Sequence, residues 1–178
     1  MAGKDIWFTQ NRSDLKRRFR FDVQVGGNSV PMYYIKTAVK PKANISTVEH
    51  QFLDHTFKYP GRVTWDNITL TLVDPVNPDL AAEWLKILLK SGYQYPDTSN
   101  QRGSMSKLKA TNALVGCTIS SLDSDGRQIE TWTLQNPFMV SVDFGGSLDY
   151  TSDEMQEITV EIAYDYATCK VNGRLVNA

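Results

Sequence analysis

Apolar and polar positions alternate over most of this chain, and the alternation predicts a protein built mainly of strands. In the stretch 59–74, YPGRVTWDNITLTLVD, residues Ile68, Leu70 and Leu72 alternate with Thr69 and Thr71, the period of two expected of a half-buried strand. Val63 and Trp65 fall on the opposite parity, so the apolar face changes sides near Asp66-Asn67, where a bulge or sharp bend is expected. Pro60-Gly61 reads as a break before this strand and Asp74-Pro75 as its exit. Upstream, Phe19, Phe21, Val23 and Val25 alternate with Arg20, Asp22 and Gln24, predicting a first strand. Gly26-Gly27-Asn28 then turns it into a return strand from about Met32 to Val39, with Pro31 at its start. Downstream, Ala113, Val115, Cys117 and Ile119 form one row, and Ser124-Asp125-Gly126 turns the chain back through 128–134. Phe138, Val140, Val142 and Phe144 form another row. The cleanest alternation is the last, with Ile158, Val160, Ile162 and Tyr164 on one face and Glu157, Thr159, Glu161 and Ala163 on the other.

One segment has a helical period instead. Leu80, Trp84, Leu85 and Leu88 make an apolar stripe within 78–91, opened by Asn77-Pro78-Asp79 and closed by Ser91-Gly92. Ser104 is read as the cap of one short helical turn ending at Leu108. The fold class is therefore mainly β, a sandwich or rolled barrel with one flanking helix. Residues 41–58, PKANISTVEHQFLDHTFK, fit neither period, and Ile45, Val48, Phe52, Leu53 and Phe57 have no simple face to hide on. A cluster of that kind marks either an interaction surface or a piece of the core whose pattern is not legible. Residues 1–17 read as a basic arm tipped by Trp7 and Phe8, residues 18–166 as the main domain, and residues 167–178 as an extension. Asn172-Gly173 in that extension predicts a small hairpin with a type I′ turn, added to a neighbour's sheet or lying on an outer wall.

Composition narrows the function by exclusion. With a net charge of −1 the chain lacks the cationic excess of a dedicated nucleic-acid binder. Its charge is uneven, though: Arg12, Lys16, Arg17, Arg18 and Arg20 cluster near the start, and Asp153, Glu154, Glu157, Glu161 and Asp165 near the end, which would suit head-to-tail contact between copies. Two cysteines allow neither a disulfide framework nor a four-cysteine metal site, and Cys117 reads as a small core residue. The N-terminal stretch lacks the apolar core of a signal peptide, and no apolar run is long enough to span a membrane, so folding in the cytosol is expected. His50, Asp54 and His55 are the tempting metal trio, but on a strand His50 and Asp54 would share a face and His55 would point away. No phosphate loop, G-x-S-x-G, Rossmann fingerprint or H-E-x-x-H is present, and Asp123/Asp125 and Glu157/Glu161 read as a solvated turn and an open strand face. No enzyme, cofactor or metal is expected.

Three stretches, taken in order and spacing, resemble the contractile-tailed phage tail tube proteins: Tyr59-Pro60-Gly61 through Val73-Asp74-Pro75, the Trp-bearing helix of 79–90, and Ile158 to Tyr166. The resemblance covers roughly residues 18–166 and implies an Hcp-like tube fold. It implies rings, hexameric by family expectation, stacked into a hollow tube that conducts DNA during genome ejection. The partners it implies are further copies, sheath, baseplate, tape measure and terminator proteins, with assembly in the host cytoplasm and no membrane. Residues 41–58 would then reach a neighbouring subunit or ring through Ile45, Val48, His50, Phe52, Leu53, His55 and Phe57, with Trp7, Phe8, Arg17 and Arg18 also between subunits. Glu157, Thr159 and Glu161 would line the bore, because a channel that passes DNA must not hold it. Close alternatives are a baseplate tube initiator or the tube of a contractile injection or type VI secretion system. From another class, a carbohydrate-binding β-sandwich would expose Trp7, Tyr93 and Tyr95 as stacking platforms.

Overall fold

The computed structural model describes residues 14–26, 28–29, 32–97 and 102–176. Two sheets share one hydrophobic core, and a third, two-stranded sheet stands apart from them. The six-stranded sheet is built from β1 (Phe21–Val25), β2 (Asn28–Ser29), β7 (Thr118–Leu122), β8 (Gln128–Gln135), β11 (Tyr166–Val171) and β12 (Arg174–Leu175), in the order β12-β11-β8-β7-β1-β2. The four-stranded sheet runs β3-β6-β10-β9, with β3 at Ile35–Ala38, β6 at Ile68–Val73, β9 at Phe138–Asp143 and β10 at Glu157–Ala163. The third is the hairpin of β4 (Ala43–Phe52) and β5 (His55–Trp65).

The alternation of β6 and β10 translates directly into burial. Ile68, Leu70, Leu72, Ile158, Val160 and Ile162 are all sealed from solvent, and Val23, Val25, Ile119 and Leu134 meet them from the six-stranded sheet. Helix α1 (Leu80–Lys90) adds Leu80 and Trp84 to the same core. Its N-cap is Asp79, whose carboxylate accepts from the Ala82 amide at 2.9 Å, so Pro78 precedes the cap and Glu83 is the acid of the first turn.

Several other expectations change. The stretch 59–74 is not one strand but two: β5 runs through Pro60-Gly61 without a break, and the chain switches sheets at Asp66-Asn67, where the parity changes. The return from β1 is the short β2; after Met32–Tyr34 makes a single 3-10 turn, β3 departs to the other sheet. Phe19 lies before β1 and is exposed. The chain has a second helix, α2 (Lys107–Ala113), capped by Ser106 rather than Ser104; Ala113 and Val115 therefore precede the strand, and Leu114 is the buried residue there. In β9 the register against β10 jumps from Ser141 to Met139, so Val140 bulges out to solvent while Met139 and Val142 face the core. The Asn172-Gly173 turn has positive φ at both positions, as a type I′ turn requires, and β11 pairs along β8 of its own chain, which leaves β12 at the edge of the sheet.

Candidate functional site

Among the described residues, two surfaces have no partner within the chain. The first is the outer face of the four-stranded sheet. Because side chains alternate, burying Ile158, Val160 and Ile162 forces Glu157, Thr159 and Glu161 outward. Register then aligns polar neighbours beside them: Thr159 lies opposite Thr71 and Asp143, and Glu161 opposite Thr69 and Ser141. Asn67 donates to Glu161 at 2.8 Å and the Ser141 hydroxyl approaches its other oxygen at 3.3 Å. Lys36 of β3 pairs with Glu157, which holds the lysine above its ordinary pKa range. The face is thus a field of hydroxyls and carboxylates. The strands at both of its sides, β3 and β9, are sheet edges.

The second surface is the hairpin. Every residue from 45 to 64 is exposed, although β4 and β5 are regularly paired. An isolated two-stranded hairpin is marginally stable in water, so strands of 10 and 11 residues exposed on both faces need a surface to lie on. Cross-strand pairing puts Val48 beside Tyr59, His50 beside Phe57 and Phe52 beside His55, all on one face of the distal half. Tyr59 and Val63 join the residues singled out from sequence; they were missed because Pro60-Gly61 looked like a break. Leu53 and Asp54 form the tip, Leu53 with φ of 50°. Hence His50 and His55 share a face and Asp54 does not, the reverse of the pairing expected for a single strand. Among the described residues no group of three His, Cys, Asp or Glu side chains could hold a metal.

The root of the hairpin is fixed to the body by polar and aromatic contacts. The Asp66 amide donates to the Lys42 carbonyl at 3.0 Å, and Asn44 and Lys42 both reach the Asp66 carboxylate, holding it below the usual carboxylate range. Trp65 packs on Tyr164 with ring centroids 6.0 Å apart. Close by, Glu130 receives Lys16, Lys40 at 2.7 Å and the Trp132 indole at 2.6 Å. Burial pushes this carboxylate up, but the three donors outweigh it and bring it down to about 2. Arg17 and Arg18, adjacent to Lys16, are exposed, while Trp7 and Phe8 lie outside the described residues. Cys117 is buried, its thiol pushed up to about 11 by burial, which leaves it negligibly ionised at neutral pH.

A family described as T4-like virus tail tube protein gp19 matches residues 17–168. The chain belongs to this tail tube family. It is a structural subunit of a tail tube, and the fold agrees. The anti-feeding prophage tube-terminating cap aligns at TM-score 0.65 and 22% identity, over 89% of this chain and 93% of that one. The sheath/tube terminator of the PVC extracellular contractile injection system aligns at 0.66 and 21%, over 90% and 99%. A chain of the PVC sheath-tube complex in its extended state aligns at 0.66 and 20%, over 90% and 94%. A search of curated proteins gives no match. At these identities the structures speak for the shared fold of the tail tube subunit.

Proposed function

We propose that copies of this tail tube protein close into rings, six to a ring, that stack into a pipe conducting DNA. The observation that carries this reading is a four-stranded sheet with one sealed apolar face, one hydroxyl and carboxylate face, and two unpaired edges. An unpaired edge is a template for another strand. If β9 of one subunit pairs with β3 of the next, six copies make a closed barrel of about 24 strands, on the order of 40 to 50 Å across its backbone. Glu157, Thr159 and Glu161 then line the bore. On a wall of hydroxyls and carboxylates whose lysine, Lys36, is already held by Glu157, passing phosphates find no free cation to exchange for their counterions. Duplex DNA moves through without being held.

The hairpin supplies the contacts between neighbours, through Ile45, Val48, His50, Phe52, Leu53, His55 and Phe57. Arg17, Arg18 and the Trp7-Phe8 arm lie between subunits as well. Sheath, baseplate, tape measure and terminator proteins are the remaining partners of a phage tube, assembled in the host cytoplasm. Electron microscopy of the purified chain tests the reading. Rings and filaments with a central channel are expected, whereas a dispersed monomer at high concentration would overturn it. Rings that never polymerise would favour a tube initiator.

A further inference from the structure

Strand pairing sorts the distal half of the hairpin into two unlike faces. Val48 lies opposite Tyr59, His50 opposite Phe57 and Phe52 opposite His55, so both histidines of the chain sit within one apolar and aromatic stripe. The other face is polar. It sets Gln51 opposite Thr56 and Glu49 opposite Lys58, an ion pair of 3.6 Å. Register also makes the two imidazoles diagonal neighbours, each directly across from a phenylalanine. Val48, Phe52, Phe57 and Tyr59 are between 49% and 61% exposed, and His50 and His55 are exposed with them. A strand of 10 residues reaches about 33 Å, which carries this stripe clear of the two sheets that share the core.

Histidine is the side chain whose charge changes between pH 5 and 8. A neutral imidazole packs against phenylalanine as a flat ring, whereas burial disfavours its charged form unless an opposite charge stands beside it. The stripe supplies no such charge. Its other titratable group is Tyr59; Glu49 and Lys58 belong to the opposite face and satisfy each other, and Asp54 lies in the tip. We propose that a second copy covers this stripe and that protonation of His50 and His55 releases it, so that tubes form at neutral pH and come apart in mild acid. This rests on the tube reading above and adds a control of its hairpin contact. Docked copies hold fewer protons than free ones, so association is complete above the histidine range and weakens as pH falls through it. If both imidazoles must be neutral, the association constant falls by up to about a hundredfold per pH unit. The body of the subunit is unaffected over this range: Glu130, brought down to about 2, stays ionised and keeps both its lysines.

The test is the critical concentration for tube growth, read by sedimentation and electron microscopy at about pH 7.5 and about pH 5.5, on either side of the ordinary histidine range. For the wild-type chain it should rise about tenfold or more on acidification. His50→Gln with His55→Gln removes both titrations and should abolish that rise; His50→Phe with His55→Phe, which keeps the stripe apolar, is the second control should glutamines weaken docking. His50→Lys with His55→Lys, charged at both pH values, should form no tubes at either. Both positions are exposed, so each variant keeps its fold, and thermal melts at the two pH values check this. Wild-type tubes indifferent to pH, tubes that lengthen in acid, or uncharged variants that keep the wild-type response would each overturn the switch while leaving the tube intact. A wild-type chain that forms no tubes at either pH would instead overturn the tube reading, and this inference with it.

Discussion

Gly61 shows how one residue sets the aim of a whole element. The register of the hairpin slips between Ile45 and Thr47, so that Gly61 and Arg62 together oppose Ser46. The Arg62 amide donates to the Ser46 hydroxyl at 2.9 Å, and a Cβ at position 61 would overlap that hydroxyl and stand 3.0 Å from the Ser46 carbonyl oxygen. A bulge bends and twists its strand, so it fixes where the distal stripe of Val48, Phe57 and Tyr59 points. Gly61→Ala should therefore re-aim the hairpin and impair tube growth, while the stability of the body changes by less than about 1 kcal/mol because the hairpin is not part of its core. Thermal melts alongside filament lengths would separate the two effects. Glu130 acts through charge instead. Its folded pKa, about 2, lies below the ordinary 4.5, so its contribution is fully present above pH 4.5 and is lost as pH falls toward 2. Exposure of both lysines limits the gain to about 2 kcal/mol. Glu130→Gln should flatten the acid limb of a urea stability curve between pH 4.5 and 2; an unchanged slope would mean the clasp contributes nothing.

At the scale of elements, legibility followed burial. Strand β10 has one sealed face, and its periodicity announced it correctly; helix α1 was announced by its period, but Ala81 and Ile87 rather than Leu85 and Leu88 join Leu80 and Trp84 against the core. The type I′ turn at Asn172-Gly173 was equally plain, since few residues adopt positive φ twice in succession. Three features were hidden, each for a physical reason. A hairpin exposed on both faces leaves no alternation to read, so β4 and β5 appeared as an irregular loop with a false break at Pro60-Gly61. The bulge at Val140 moves the inward positions to Met139 and Val142, and only the partner strand reveals the shift. Helix α2 was underestimated because a seven-residue segment burying Ala110 carries almost no stripe. The same contrast predicts what truncation does. Trp84→Ala empties a site that is 3% exposed and should cost roughly 3 to 5 kcal/mol, a large share of a domain's stability, seen as a much lower urea midpoint. Replacing residues 46–62 by a short glycine-rich link should leave that midpoint in place and abolish tubes.

For the whole molecule the deciding property of the proposed tube is the sign of charge on its bore. Glu157 and Glu161 project from the same face of β10, but they answer different questions. Glu157 sits at the sheet end beside the acidic loop between β9 and β10 and is paired with Lys36, so reversing it breaks that ion pair as well as changing the charge of the face. Glu161 lies within the sheet, held by Asn67 and Ser141, and its reversal tests the lumen alone. Glu161→Lys converts one repelling carboxylate per subunit into a cation, giving about six new phosphate contacts per ring in a hexameric tube. Each phosphate neutralised steepens the salt dependence of DNA binding by a slope of roughly −0.9 in log–log terms. Variant tubes should therefore retain duplex DNA at about 50 mM salt and release it by several hundred millimolar, while wild-type tubes retain none. A phage carrying Glu161→Lys should assemble full-length tails and eject its genome slowly, and the double variant with Glu157→Lys more slowly still. If ejection is as fast as in wild type and the tubes ignore DNA at low salt, the hydroxyl and carboxylate face of β3, β6, β9 and β10 does not line the channel.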